Sequence, residues 1–356
     1  MQSFLSVRYL KSFALLILVT LIISSCGGEK LKPFVSFYYW KSNYQLDSTE
    51  RNVLKENNVQ QLYVRYFDIV YDETLKVAIP AAPVRLTKTD IVNPIVPVVF
   101  IRNKVFEQLD SIAIYKLADK TVTMLNQINK SVGIKCRALQ IDCDWTSSTA
   151  PKYFYFLKQI REKLDAHEDG GTFASLAMLS ATIRLHQIKY PEKAGIPPVD
   201  KGVLMFYNMG EISTSELNSI YDQKTSQKYL SSLSAYTLRL DIALPIFAWG
   251  IHIREGRIVE LLNKMDSRDF QNKEEFVQLS ANRYKAASAF FKKGFYFQAG
   301  DEVKVEEVDE NTFKPMIADL KRSYPNQFQQ VIFYDLDSLN ISRYAKDFFQ
   351  KTVAAF

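Results

Sequence analysis

Ala138-Leu139-Gln140-Ile141-Asp142-Cys143-Asp144-Trp145 is the stretch whose reading decides the fold. In an extended chain, successive side chains point to opposite faces. Gln140, Asp142 and Asp144 therefore share one face, and Leu139, Ile141, Cys143 and Trp145 share the other. A strand with one apolar face and two carboxylates on the opposite face needs a special setting. A barrel supplies one: its outer face lies under helices, while its inner face rises toward an open mouth. The following Thr146-Ser147-Ser148-Thr149-Ala150-Pro151 offers an N-cap at Ser148 or Thr149 and a proline in the first turn of an amphipathic helix. Asp144 is thus expected at the carboxyl end of a strand, just before a βα loop, where barrels build their sites.

Seven further strands can be read outward from this one. They are 34–40, 61–68, 95–101, 179–185, 202–208, 240–249 and 330–335, with a short strand in the long loop at Val77–Ile79. A capping box, Asp47-Ser48-Thr49-Glu50, opens a helix after the first strand, and a second box, Ser213-Thr214-Ser215-Glu216, is expected to do the same after the sixth. Helical spacing runs over 104–130 and from 150 to about Ala166, where His167-Glu168-Asp169-Gly170-Gly171 breaks it. Pro191, Pro197 and Pro198 leave room for only a very short helix after the fifth strand. Residues 255–325 read as a mostly helical insertion with a hairpin, 295–298 to 303–305, and the chain closes on a helix at 340–350. The expected fold is α/β: a (β/α)8 TIM barrel spanning 34–356, with an insertion before the last strand. A doubly wound sheet is the alternative, but Lys41-Ser42-Asn43-Tyr44 after the first strand is no glycine-rich phosphate turn.

The 356 residues are 47% hydrophobic and 24% charged, ordinary values for a globular protein. The net charge of +6 is scattered. Arg8 and Lys11 supply two of these charges in an acid-free segment, so the chain beyond residue 25 carries +4. Without an arginine-rich run, a nucleic-acid partner is not expected. Arg8 and Lys11 precede an apolar run, 12–23, of signal-peptide length. Cys136 and Cys143 fall in or beside the buried strand and read as buried thiols. The cysteines and histidines show no ligand spacing, so no metal and no cofactor is expected.

A barrel brings particular side chains to its mouth. The candidates are Tyr39 and Trp40, Arg65 and Asp68, Arg102, Asp142 and Asp144, Arg184 and His186, Tyr207 and Asn208, Trp249, Asp335 and Asp337. Ser180, Thr182, Arg184 and His186 repeat the alternation of the fourth strand. Acids and guanidinium groups at one depth call for pairing, Asp142 with Arg184 or Arg65. Trp40 and Trp249 offer ring faces for stacking on sugars, whereas Trp145 should pack beneath helices.

Three resemblances follow from these motifs. Leu21-Ile22-Ile23-Ser24-Ser25-Cys26-Gly27 resembles a bacterial lipobox, which implies a signal peptide at 1–25, a lipid-modified Cys26, a tether over 26–33 and a membrane-anchored envelope protein. Ile141-Asp142-Cys143-Asp144-Trp145 resembles the fourth-strand signature Asp-x-Asp-x-Glu of glycoside hydrolase family 18, and Met205-Phe206-Tyr207-Asn208 resembles that family's Met-x-Tyr-Asp. The mature chain as a whole is similar to a family of uncharacterised bacterial lipoproteins with a hydrolase-like barrel. These resemblances imply a saccharide partner. Taken with the barrel mouth, they point to Asp144, Asp142 and Tyr207 as catalytic residues, and to Trp40, Arg65, Asp68, Arg184, Asn208, Trp249 and Asp335 as substrate-binding ones. Two departures matter: the hydrolase family's proton-donating Glu falls at Thr146, and its sixth-strand Asp at Asn208. Threonine cannot protonate a glycosidic oxygen. Two readings therefore stay open. In one, Asp144 is the acid and Asp68 or Asp335 the second carboxylate, giving a glycoside hydrolase outside the cytoplasm. In the other, the barrel is inactive and binds a glycan or a protein.

Overall fold

The computed structural model describes residues 32–166, 171–324 and 328–356. The apolar run 12–23, the lipobox with Cys26, and His167 to Gly170 lie outside the described residues. Eight parallel strands close into a barrel: β1 (Phe34–Tyr39), β2 (Gln61–Asp72), β4 (Ile95–Ile101), β5 (Cys136–Cys143), β6 (Phe173–Arg184), β7 (Lys201–Met205), β8 (Leu240–Pro245) and β16 (Gln330–Tyr334). The circuit runs β1-β16-β8-β7-β6-β5-β4-β2 and closes where β1 pairs with β2. A ninth strand, β3 (Val77–Ala81), lies antiparallel on β2. Among the described residues, no helix is long and apolar enough to cross a membrane.

Alternation in β5 works as the sequence demands. Leu139, Ile141, Cys143 and Trp145 are buried under helices, and the Trp145 indole stacks on Tyr153 and donates to the Ala194 carbonyl at 2.8 Å. Burial pushes the Cys136 thiol up to about 12, and neither Cys136 nor Cys143 forms a disulfide.

The opposite faces fill the barrel with polar layers, successive layers lying two residues apart along each strand. Deepest, Lys201 donates to Asp241 at 2.5 Å, and Gln330 bridges Tyr63 at 3.0 Å and Ser36 at 2.5 Å. Above it, Tyr38 donates to Gln140 at 2.7 Å. The Asp142–Thr182–Arg184 set follows at the mouth. Gly202 of β7 is required by closeness: a Cβ there would lie 2.7 Å from both Ile183 and Leu240.

Several expected elements are different. The helix over 104–130 is two helices, Lys104–Gln108 and Ser111–Val132, because Asp110 caps the second by accepting from Ala113 N at 2.8 Å. The Asp47 capping box does open Ser48–Glu56. The box at Ser213 opens no helix; the helix there is Gln223–Leu230, capped by Asp222. The carbonyls of Thr214 and Leu217 accept instead from Arg283 and Lys304.

The run 240–249 is not one strand. It breaks after Pro245, and β9 (Ala248–Arg254) belongs to another sheet. Residues 255–325 are not mostly helical. With β9 they form a five-stranded antiparallel sheet, whose other strands are β10 (Arg257–Asn263), β11 (Phe276–Ser280), β12 (Arg283–Ala286) and β15 (Glu302–Glu307), in the order β10-β9-β15-β12-β11. Leu262, Phe270, Phe276, Tyr284, Phe297 and Val303 give this sheet its own core. The expected 295–305 hairpin is absent: β14 (Phe295–Phe297) pairs with β13 (Phe290–Lys292), while β15 pairs with β9 and β12. A single long helix, Glu310–Ser323, leads back to the barrel. The closing helix is two pieces, Ser338–Ile341 and Phe348–Ala354.

Candidate functional site

A cleft of about 770 Å³ opens at the carboxyl ends of the barrel strands. Ten residues singled out from the sequence line it: Trp40, Arg65, Asp68, Asp142, Asp144, Arg184, Tyr207, Asn208, Trp249 and Asp335. Tyr39 does not. Its parity is opposite to that of Tyr38 and Trp40, and it is buried with its hydroxyl on the Asn43 and Gln45 carbonyls. Arg102 is exposed and stands outside the cleft, and Asp337 is buried beneath the rim as the cap of Ser338–Ile341.

Arg65 and Asp68 are three apart in β2 and in a regular strand would face opposite ways. A register shift between Arg65 and Phe67 leaves Tyr66 as an extra residue. The Tyr66 hydroxyl turns outward to Asn129 at 2.7 Å. The bulge puts Arg65 and Asp68 on one face, where the guanidinium grips the carboxylate through two bonds of 2.7 and 2.5 Å.

Arg184 binds two acids. Its Nη2 lies 3.3 Å from Asp142, and its Nε donates to Asp144. Asp142 also accepts from the Thr182 hydroxyl at 2.6 Å. Burial lifts the Asp142 carboxyl above its ordinary range, and Arg184 and Thr182 pull it part of the way back. Burial works against the charge of Arg184, but Asp142 and Asp144 outweigh it and hold the guanidinium firmly protonated.

Asp335 is different. It is half-buried and accepts from Asn340 Nδ2 at 2.6 Å. Burial, with help from Asp337, pushes its carboxyl up to about 6 against the pull of Lys264 and Lys41. Those lysines are bonded elsewhere: Lys264 sits 2.8 Å and Lys41 3.3 Å from Asp337. They hold Asp337 below its usual value against the effect of burial. Two carboxyls two residues apart are thereby driven in opposite directions.

The walls are aromatic. Tyr207 stacks on Tyr334 with centroids 5.5 Å apart, and Phe247 packs on Trp249 and Tyr334. Trp40 stands edge-on to Tyr334, with the Arg65 guanidinium over its ring. The insertion sheet fixes Trp249. Its Nε1 donates at 2.9 Å to Glu306, a fully buried carboxylate that also takes Lys304 at 2.6 Å and Ser219. Sequence reasoning missed Phe247 and Tyr334, although each adjoins a strand end it had recognised. It also missed Lys41, Lys264 and Asn340, which carry no motif.

Thr146 does not line the cleft. It is exposed in the turn before the helix Ala150–Ala166, its hydroxyl 2.9 Å from that of Ser148 and its amide donating to Thr149. Among the described residues, no three histidine, cysteine or acidic side chains cluster so as to hold a metal ion.

No protein-family model and no curated protein matches the chain by sequence. Solved structures match it by fold. The spore cortex-lytic enzyme SleL of Bacillus cereus superposes with a TM-score of 0.57 at 13% identity, over 91% of this chain and 75% of its own. A family GH18 chitinase of Cycas revoluta, in complex with allosamidin, gives 0.57 at 10% identity over 90% of this chain and 98% of its own. The same chitinase with (GlcNAc)3 gives 0.56. The chain shares the TIM barrel of these enzymes.

Proposed function

We propose that the cleft binds a saccharide chain and holds it without cleaving it. One observation carries the reading. Of the four carboxylates lining the cleft among the described residues, Asp68 is paired with Arg65, and Asp142 and the more exposed Asp144 with Arg184, so three of the four are engaged in ion pairs. Glycoside hydrolysis ordinarily uses two carboxyl groups, one donating a proton and one attacking or activating water. Thr146, at the position of the hydrolase family's proton donor, stands outside the cleft and has no proton to give at neutral pH. Trp40 and Trp249, both part-exposed, offer ring faces to the C–H faces of sugars. The barrel shared with chitinases, one of them solved with (GlcNAc)3, supports this class of ligand.

Titration calorimetry of the purified chain against N-acetylglucosamine oligomers and soluble cell-wall and plant oligosaccharides tests the reading. At least one is expected to bind with no product released. Trp249→Ala should weaken that binding at least fivefold, about 1 kcal/mol, as the loss of a central aromatic anchor does. No binding across the panel would sink the proposal.

A second reading has its own support. A carboxyl near pKa 6 is poised to act as a general acid, so Asp335 could protonate a leaving group. Product release by the wild type that disappears in both Asp335→Asn and Asp144→Asn would establish hydrolysis in place of simple binding.

We also read the protein as lipid-anchored in a bacterial envelope, on the strength of Leu21–Cys26. Membrane-extracted protein is expected to begin at a lipid-modified Cys26 by mass spectrometry. A chain retaining Met1 would contradict this.

A further inference from the structure

The cleft does not end at the Asp144–Arg184 pair. A second cavity of about 290 Å³ adjoins it and shares Asp144, Arg184, Tyr207 and Asn208 with it. It opens where the barrel is short of a helix. After β6 the chain makes only Leu185–Lys189 and Pro191–Ala194 before β7. His186 from the first of these, and Tyr229 from Gln223–Leu230, complete the wall.

The chemistry of this wall selects a class of ligand. Arg184 takes only Oδ1 of Asp144, whose side chain is 56% exposed, so Oδ2 remains an acceptor. Asn208 is exposed and brings an amide donor and acceptor. Burial lowers the pKa of His186, so at neutral pH its imidazole offers one donor and one acceptor. Tyr229 supplies an aromatic face, with Lys189 Nζ 5.3 Å from its centroid. The two positive charges of Arg184 and Lys189 offset the two carboxylates of Asp142 and Asp144, which leaves little net field to draw in an ion. Paired acceptors and donors beside an aromatic face suit the hydroxyls and C–H face of a neutral sugar ring. The volume sits at the lower edge of the roughly 300–1,000 Å³ typical of small-molecule sites, which leaves room for one glycosyl unit.

We propose that this cavity is a branch subsite: the main saccharide chain lies in the cleft, and a neutral single-sugar side branch enters between His186 and Tyr229. The inference rests on the saccharide reading of the cleft. Calorimetry on the full chain with matched probes tests it: mannopentaose against its 6-linked galactosyl derivative, and cellotetraose against xyloglucan heptasaccharide. The branched member of at least one pair is expected to bind about tenfold tighter than the linear one. Tyr229→Ala and His186→Ala should each bring the branched probe down to the affinity of the linear one and leave the linear one unchanged. His186 is exposed, so its variant will fold even if the Tyr229 variant does not. Equal affinity within both pairs, or variants that weaken linear and branched probes alike, would overturn the branch subsite and leave the cleft reading standing. Absence of binding for all four probes would overturn the branch subsite, and the cleft reading falls with it only if the N-acetylglucosamine oligomers fail to bind as well.

Discussion

Arg184→Met is expected to destabilise the protein by about 3–5 kcal/mol, the usual loss when one partner of a buried ion pair is removed. Denaturant unfolding should show it as a lower midpoint at unchanged slope. The cost falls on Asp142, which is 4% exposed and would keep only the Thr182 hydroxyl as donor. Asp144 is more than half exposed and water can replace its partner, so that bond contributes little. The two acids should therefore respond differently in double variants. Asp142→Asn added to Arg184→Met should restore most of the loss, and Asp144→Asn should not. The effect also depends on pH. The folded-state pKa of Asp142 is already raised, and losing Arg184 raises it further. A raised carboxyl contributes stability below its unfolded pKa and loses it as pH rises through the folded value. The defect should thus be small at pH 4 and full at pH 8. A loss below 1 kcal/mol, or one that Asp142→Asn leaves unchanged, would show that the pair is not holding the mouth together.

Asp335→Asn should stabilise the protein, with a sign that follows from the same linkage. The carboxyl titrates near 3.8 when unfolded and is pushed up to about 6 in the fold. Below 3.8 it is protonated in both states and costs nothing. Between there and about 6 the unfolded state gives up its proton first, so wild-type stability falls as pH rises. The full penalty of about 3 kcal/mol applies above that range. An amide carries no charge to bury and keeps the oxygen that accepts from Asn340. The variant should match the wild type at pH 4 and exceed it at pH 8 in unfolding midpoint. Asp337→Asn is the control of opposite sign. Asp337 is held below its usual pKa beside Lys264, so neutralising it removes stability at pH 8. Parallel stability curves for wild type and Asp335→Asn from pH 4 to 8 would refute the assignment.

By itself the sequence determined the barrel and most of its mouth. A period of two in β5 and β6 placed Asp142, Asp144 and Arg184 on the inner face, and the residues that end each strand arrive at one rim by topology alone. Local chemistry was legible too. Asp47 and Glu50 are close in the chain, and their reciprocal bonds need no tertiary partner.

What the tertiary structure decided depends on distant groups. Ser213-Thr214-Ser215-Glu216 has the letters of a capping box, but Lys304 and Arg283 from the insertion sheet engage the carbonyls of Ser213 and Thr214, and no helix starts there. The insertion itself reads poorly because β10 and β11 are mostly exposed. Val303 and Val305 of β15, and Tyr284 and Ala286 of β12, do alternate with charged residues, but only pairing with distant strands sets their order and makes them a sheet. The bulge at Tyr66 depends on the register against β4, and only that register turns Arg65 toward Asp68. Which acid each arginine holds, and that Asp335 is left without one among the described residues, follows from distances across the closed barrel. That allocation is three-dimensional, and it is the observation from which the binding reading is proposed.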